Sequence, residues 1–470
     1  MADVPVPRSQ LTPRAGDAST LEGAIPDVVH GLLRTLWDGG HAAYVVGGSL
    51  RDTLLGGAAK DWDLATAAVP ERTVSLLPGA VYENKFGTVE VRTDDPDVPE
   101  VEITTFRSDH DYADFRRPHR VEFSESIELD LARRDFTVNA MAWGAEPGAP
   151  PRLVDPHGGR ADLAIGVLRT VGDPAKRFEE DALRMVRAVR LAATQSFEIE
   201  ALTLAGIRAK ADLVRHLSGE RIAIEMGLLL AAERPSIGLR LMADTNVLPA
   251  ISPELAAQRG VPQNKVPGED LWDHTLRAVD GAAKDPARIR MAALLHDIGK
   301  PLTMADGRFL GHESVGAELA DTLLERWRWP MAERQRIVRL IRHHMFGYQP
   351  TWSDAAVRRF IAKVGPEHLP DLFLLREADH VGSGRERDAG NLDELRARVA
   401  AELAAGVALD LSGLSVDGSV LMSELAVSPG PDLGRLLDWL LERVIADPTV
   451  NTRDGLLDLA RRRLSSEGAS

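Results

Sequence analysis

Apolar positions in the early part of the chain return with two different periods. In IPDVVHGLLRTLWDGG (residues 25–40) they recur every three or four residues, which predicts an amphipathic helix closed by Gly39 and Gly40. HAAYVVGG (41–48) is a short apolar run ending in glycines, the pattern of a buried strand. Strand-like runs follow at DWDLAT, TVEVRT and PEVEITTFR, and LARRDFTVNAMAW joins them with Arg and Asp among its apolar positions. From FEEDALRMVRAVRLAATQSFEIE (178–200) onward the pattern is almost wholly helical in period and in alanine and leucine content, with turn signals at ERPS and ADTNVLPA. ISPELAAQRGVPQNKVPGED reads as a connection and GSGRERDAGN as an exposed loop. The predicted organisation is a flexible tail over 1–20, a mixed α/β head over 21–170, a helical neck over 171–268, a histidine-bearing helical domain over 269–390 and a small helical region over 391–470.

Composition narrows this picture. A chain of 470 residues that is 44% hydrophobic divides into several cores. A net charge of −15 disfavours a nonspecific nucleic-acid binder but leaves room for a locally basic groove on an acidic body. The absence of cysteine excludes disulfides, thiolate metal sites and cysteine nucleophiles, so a transition-metal site has to be built from the 13 histidines and the carboxylates. No apolar run reaches the roughly 18 residues of a membrane span. MADVPVPRSQLTPRAGDAST lacks the apolar centre of a signal peptide, and the expectation is a cytoplasmic enzyme away from membranes.

Chemistry concentrates first in GGSLRDTLLGGAAKDWDLAT (47–66). In an extended segment Asp61 and Asp63 project to one side, where two carboxylates repel unless a cation lies between them. Mg2+ suits such a pair, because it takes oxygen ligands and keeps part of its shell for substrate phosphates. Gly47 and Gly48 let the backbone approach a bulky anion, and in the helix that follows either Arg51 contacts phosphate or Asp52 orders the turn. There is no GxxxxGK[ST], so this is not a P-loop.

The stretch resembles the signature of the nucleotidyltransferase superfamily that includes DNA polymerase beta, and within it the bacterial tRNA nucleotidyltransferase and poly(A) polymerase family. LARRDFTVNAM (131–141), LVDPHGGRADLAIGVLRT (153–170), RFEEDALRMVRAVRLA (177–192) and GERIAIE (219–225) resemble that family's second to fifth motifs in order. The resemblance implies an α/β head of the polymerase-beta nucleotidyltransferase type, followed by an extended all-α body of neck, HD domain and small helical tail. It implies template-independent addition of CMP and AMP from CTP and ATP to the 3′ acceptor end of tRNA, with a poly(A) polymerase as the alternative. Asp61 and Asp63 become the catalytic metal ligands, with Glu102 as a third candidate beside Glu100 and Glu90. Arg134, Asp135 and Asn139 fall in the motif for sugar and phosphate, while Asp155, Gly158 and Gly159 form either a joint or a plain Asx turn.

Asp181 and Arg184 are spaced i, i+3, one face of a continuous helix, and a carboxylate beside a guanidinium can match a base edge. The resemblance makes this pair the protein template for CTP and ATP; Arg187 and Arg190 continue the spacing toward nucleotide or RNA. In the loop FRRPHR, Arg116, Arg117 and Arg120 are either RNA contacts or a solubilising charge run.

A second concentration lies in GEDLWDHTLRAVD, MAALLHDIGKPLT, GRFLGHESVG, LIRHHMF and LLREADH. Buried imidazoles and carboxylates cost several kcal/mol unless paired or metal-bound, and a helical metal site explains so many together. These segments resemble the HD phosphohydrolase superfamily, which assigns His274, His296, Asp297 and Asp379 to its core ligands and His312, His343 and His344 to the extra ligands of two-metal members. A divalent transition metal or Mg2+ is the implied ion, Lys300 stands near enough for phosphate, and phosphatase or 2′,3′-cyclic phosphodiesterase activity is the implied chemistry. A phosphohydrolase with a noncatalytic nucleotide-binding head is the competing reading from another class.

Overall fold

The computed structural model describes residues 18–57, 59, 61–82, 87–112, 118–263 and 265–467, with the backbone alone at 18–20, 108–112, 118–122 and 467. Arg116 and Arg117 fall outside the described residues, and Arg120 lies on a strand whose side chain is not described. Two compact units divide the chain, Met1–Ala256 and Ala257–Ser470.

The first unit is built on a mixed sheet. Its strands are β1 (Ala43–Val46), β2 (Trp62–Thr66), β3 (Ala80–Tyr82), β4 (Thr88–Arg92) and β5 (Glu100–Thr105), then, after a hairpin of β6 (Arg107–Tyr112) and β7 (Pro118–Phe123), β8 (Ala142–Ala145) and β9 (Arg152–Val154). The seven-stranded order is β3-β4-β5-β2-β1-β8-β9, in which β2 and β5 run parallel and the other neighbours antiparallel. Burial follows the pattern read from the sequence: β1 is buried on both faces, whereas β5 alternates exposed and buried positions. Tyr44, Val46, Ala65, Phe106, Ile127, Leu131 and Val154 form the core against one face. Register then sets a polar row across the sheet, with Val46 opposite Asp63, Asp63 opposite Glu102, and Glu102 opposite Glu90.

Two expected elements differ. LARRDFTVNAMAW was expected as a strand, but helix α2 (Ile127–Ala132) ends there, a 3-10 turn follows at Thr137–Asn139, and only Ala142–Ala145 is extended. The polar side chains bend the chain locally: Asp135 accepts from the Phe136 N–H at 2.8 Å and from the Asn139 amide at 3.1 Å. The expected single helix through Asp181 and Arg184 is two helices, α3 (Pro174–Glu180) and α4 (Leu183–Gln195), preceded in chain order by α1 (Gly47–Leu54) and α2. Asp181 is extended at the break (φ −148°, ψ 106°), and its carboxylate accepts the Leu183 N–H at 3.0 Å.

The second unit is helical. A capping box of Asp270 and Asp273 starts α6 (Leu271–Gly281), and α7 (Arg288–Leu295), α8 (His312–Arg326), α9 (Met331–His343) and α10 (Leu369–Gly382) complete the histidine-bearing part; α5 (Gly219–Leu230) belongs to the first unit. Helix α7 is almost entirely apolar and buried, which makes it the centre of this bundle. Gly299 permits its tightest contact: a Cβ there would lie 2.3 Å from the His312 carbonyl, so no side chain fits between the His-Asp turn and α8. A separate small core of Leu421, Leu440, Val444 and Leu456 ends the chain. It is tied down by buried Arg358, which donates to the Ile445 carbonyl at 2.7 Å and to Glu402 at 2.9 Å. Among the described residues no helix is long and apolar enough to cross a membrane.

Candidate nucleotide and metal sites

In the first unit a cavity of about 400 Å³ opens over the polar row of the sheet, lined by Asp63, Glu102, Arg133, Arg134, Asp135, Asp181, Arg184, Arg187 and Arg221. Its floor depends on Gly47, which has φ +77° and whose Cβ would come within 3.2 Å of both Arg134 and Asp63. Gly48 has no such constraint, since its nearest neighbour, Arg51, stands 3.5 Å from a would-be Cβ.

Several acids in and behind the cavity wall already have a guanidinium. Asp130, fully buried, accepts from Arg133 at 2.8 Å and Arg134 at 3.2 Å, and these two arginines outweigh burial and lower its pKa. Asp135 meets Arg187 at 2.9 Å; burial would raise its pKa, but Arg187, Asn139 and Arg184 hold it down at about 2. Asp63 is not among them. Burial, with Glu102 and Asp61 adding their charge, lifts it to about 6 against the pull of Arg134 and Arg187. An acid pushed up by burial and like charges is short of a cation, the condition in which a divalent ion fits. Asp61 is exposed, one residue before β2, and is not among the lining residues although its charge acts on Asp63.

Other predicted residues support the cavity from behind. Arg51 is buried, gives one N–H to the Asn139 oxygen at 2.7 Å and another to Asp52 at 2.8 Å, and does not line the cavity. Asn139 is thereby held between Arg51 and Asp135. Arg190 is clamped to Glu225 at 2.5 Å, also outside the lining. Asp155 caps the turn at Gly158 by accepting from the Gly159 and Arg160 N–H groups at 2.7 and 3.0 Å, the Asx-turn alternative. Asp181 and Arg184 do meet the cavity, brought there by the helix break. Arg184 donates to Glu180 at 2.7 Å and to the Arg133 carbonyl at 2.9 Å, and Asp181 pairs with Arg221 at 2.7 Å. Asp130, Arg221 and Glu225 went unread in the sequence; the only signal was the place of Arg221 and Glu225 inside the fifth motif, and Asp130 stands just before the second.

The histidine cluster has the opposite character. His274, His296 and Asp379 form one buried triad, and Asp297, His312 and His344 a second. Asp297 joins them: one oxygen lies 3.2 and 3.1 Å from the Nε2 atoms of His274 and His296, the other 3.3 and 3.6 Å from those of His312 and His344. His296, His312 and His344 each direct Nδ1 at a backbone carbonyl, of Ala293, Phe309 and Ile341, within 2.6–2.8 Å. With Nδ1 engaged there, each Nε2 faces the cluster, the arrangement that metal-ligating histidines use. Two sets of nitrogen and carboxylate donors suit divalent transition metals, Mn2+ or Mg2+.

Burial lowers the proton affinity of His274 and His344, whereas at His296 burial is overcome by Asp297 and Asp379, which lift it to about 9. Lys300 reaches Asp297 at 2.6 Å, and Lys265 and Arg376 reach Asp379 at 3.3 and 2.9 Å. A cavity of about 420 Å³ beside the cluster is lined by these cations with Arg308 and Arg385.

His343, expected among the extra ligands, does not join either triad. Neighbouring residues on a helix point about 100° apart, so with His344 turned inward His343 faces a different groove. Its pKa falls to about 4 through burial and then through Arg339, Lys363 and Arg342.

An α/β head whose cavity combines an acid short of a cation with a ring of arginines, in one chain with a helical double His/Asp cluster, defines a nucleotidyltransferase carrying an HD domain. The family comparisons are specific. The model for the Poly A polymerase head domain matches residues 43–169, that for the probable RNA and SrmB-binding site of polymerase A matches 196–259, and the HD domain model matches 269–384. The CCA-adding enzyme of Streptococcus suis (strain 05ZYH33) is 31% identical over 437 residues, 93% of this chain and 96% of that protein. The CCA-adding enzyme of Geobacillus kaustophilus (strain HTA426) is 40% identical over 258 residues, 53% of this chain and 62% of that protein. Among solved structures, the CCA-adding enzyme of Bacillus stearothermophilus in complex with CTP is similar with a TM-score of 0.70 and 26% identity, over 94% of this chain and 98% of that one. The chain belongs to the CCA-adding enzyme and poly(A) polymerase family, in the form that carries an HD domain.

Proposed function

We propose that this chain adds CMP and AMP from CTP and ATP, without a template, to the 3′ end of tRNA, building or repairing CCA. The observation that carries the reading is that one cavity holds both an acid short of a cation, Asp63 beside Glu102, and a polar edge of base size, Asp181 with Arg184 and Arg221. In this reading residues 21–170 form the head, 171–268 the neck, 269–390 the HD domain and 391–470 a helical RNA-binding region. Asp61 and Asp63, with Glu102, would hold Mg2+, which when bound neutralises the triphosphate and activates the 3′-hydroxyl. Arg134, fixed by Asp130 and packed beside Gly47, presents its guanidinium to phosphate, and Asp135 holds Arg187 at the same cavity. Asp181 and Arg184 offer acceptor and donors to a base edge, with Arg221 fixing the carboxylate. The CTP complex of the Bacillus stearothermophilus relative supports a nucleoside triphosphate as substrate, and the name CCA-adding enzyme shared by the relatives supports CCA as what is built.

The test is incorporation of each labelled nucleoside triphosphate, supplied singly, into a tRNA lacking CCA. CTP incorporation that stops after two residues, followed by one AMP when ATP is added, supports this reading; unlimited extension with ATP alone supports a poly(A) polymerase. A second activity is favoured by the double His/Asp cluster and its cationic cavity: hydrolysis of phosphate monoesters or 2′,3′-cyclic phosphates. There His274, His296, Asp379, Asp297, His312 and His344 would hold the ions and Lys300 would contact phosphate. Loss of hydrolysis in His296→Ala, with incorporation retained, is the expected result.

A further inference from the structure

Arg336, Arg339 and Arg342 recur at every third position of α9 and line a groove of about 700 Å³ that Glu367 and His368 also border. At a rise of about 1.5 Å per residue, this row spans about 9 Å of helix axis. A row of arginines on a helix is ordinarily a solvated face balanced by nearby acids, but the acids here, of which Asp321 and Glu367 themselves line the groove, already have other partners. Glu333 faces Arg288 at 3.6 Å, Asp321 pairs with Arg334 at 3.1 Å, and Glu367 meets His368 at 3.1 Å. Arg339 is fixed in place by the Val364 carbonyl at 2.7 Å. Among the described residues no acid or carbonyl pairs with Arg336 or Arg342, which are exposed at the groove. None of the six cluster ligands lines it, so the groove and the histidine cluster are separate faces of α9.

We infer that this groove binds closely spaced phosphates, supplied by an RNA backbone or by the polyphosphate of a free nucleotide. Guanidinium forks match phosphate oxygens in pairs, and a row with one member held rigid suits a run of phosphates better than one isolated anion. The inference goes beyond nucleotidyl transfer and does not rest on it.

The experiment is hydrogen-exchange mass spectrometry on the full chain, following peptides over 331–343 and 363–368 alone, with tripolyphosphate, with Mg-ATP and with an RNA hairpin. The expected result is at least about twofold slower exchange with one or more of these ligands, lost in Arg336→Ala/Arg342→Ala. Protection by the hairpin alone assigns the phosphates to RNA, and the slope of log affinity against log salt then falls by roughly 1.4–1.8 in the variant. Protection by tripolyphosphate or ATP assigns them to a nucleotide. No protection by any ligand, or protection unchanged in the variant, overturns the inference. Should the alanine pair fold poorly, Arg336→Gln/Arg342→Gln replaces it, and the wild-type exchange stands by itself. Incorporation into saturating tRNA stays at the wild-type rate in the variant, so failure of the groove is distinguishable from failure of the transferase reading.

Discussion

Around the cavity of the first unit, Asp135 and Asp181 at its wall and Asp130 behind it each face an arginine while Asp63 meets other acids; in the second unit every carboxylate of the cluster lies against histidines, with lysine or arginine behind. Burial acts on both sets, yet it raises Asp63 and fails to raise Asp297 or Asp379, which are held well below the ordinary carboxylate range. The difference separates two ways of preparing a metal site. In the HD cluster the ligands are packed against one another and balanced in advance, whereas in the head no cationic side chain among the described residues bonds Asp63, which under the proposed function leaves it open to a cation bound with the substrate.

The sharpest way to break this comparison is Asp61→Ala with Asp63→Ala. Nucleotide incorporation should fall by at least about 10³-fold while the fold persists, because the loss is of charge stabilisation at the reacting phosphate. Asp297→Ala should behave differently. It removes the acid shared by both triads, so urea unfolding should show a loss of about 3–5 kcal/mol and elemental analysis should show loss of bound metal. Asp181→Ala or Arg221→Ala should leave the protein folded and reduce discrimination of CTP over UTP by about 10–100-fold, read from single-nucleotide incorporation rates.

The smallest effect separates two acids of one cavity. Asp135, depressed to about 2, contributes roughly 2 kcal/mol that is present above the ordinary carboxylate pKa and lost as pH falls toward 2; Asp135→Asn should remove that share of the acid dependence. Asp63 has the reverse sign, since its ionised form is penalised at neutral pH. Without divalent ions Asp63→Asn should raise stability by roughly 3 kcal/mol at pH 7, a gain that fades as pH falls from about 6 into the ordinary carboxylate range. Chemical denaturation across pH reads both.

Much of this was legible from the order of residues. The period of apolar positions marked β1 and the preceding helix, Asp63 announced itself through its spacing from Asp61 and the glycines, and the six cluster ligands stood in recognisable segments. What escaped reading depended on distant partners or on local polar bonds. EEDALRM has no proline or glycine to announce a break, and the helix stops because Asp181 turns to accept the Leu183 N–H at the start of its successor and pairs with Arg221 forty residues on. His343 and His344 are identical letters side by side, and only the packing of α9 against its neighbours decides which one turns inward. Arg51, a natural phosphate contact by position, is instead taken up by Asn139, 88 residues away. Asp130 carries no chemical signature at all until Arg133 and Arg134 close on it.

The most direct measurement is anomalous diffraction from crystals of the full chain soaked with CTP and Mn2+. The account predicts a peak within ligand distance of Asp63 and Asp61, with the triphosphate on its far side and the base edge toward Asp181 and Arg184. Bound CTP with no ion near Asp63, or with Asp61 and Asp63 turned away from each other, would contradict it.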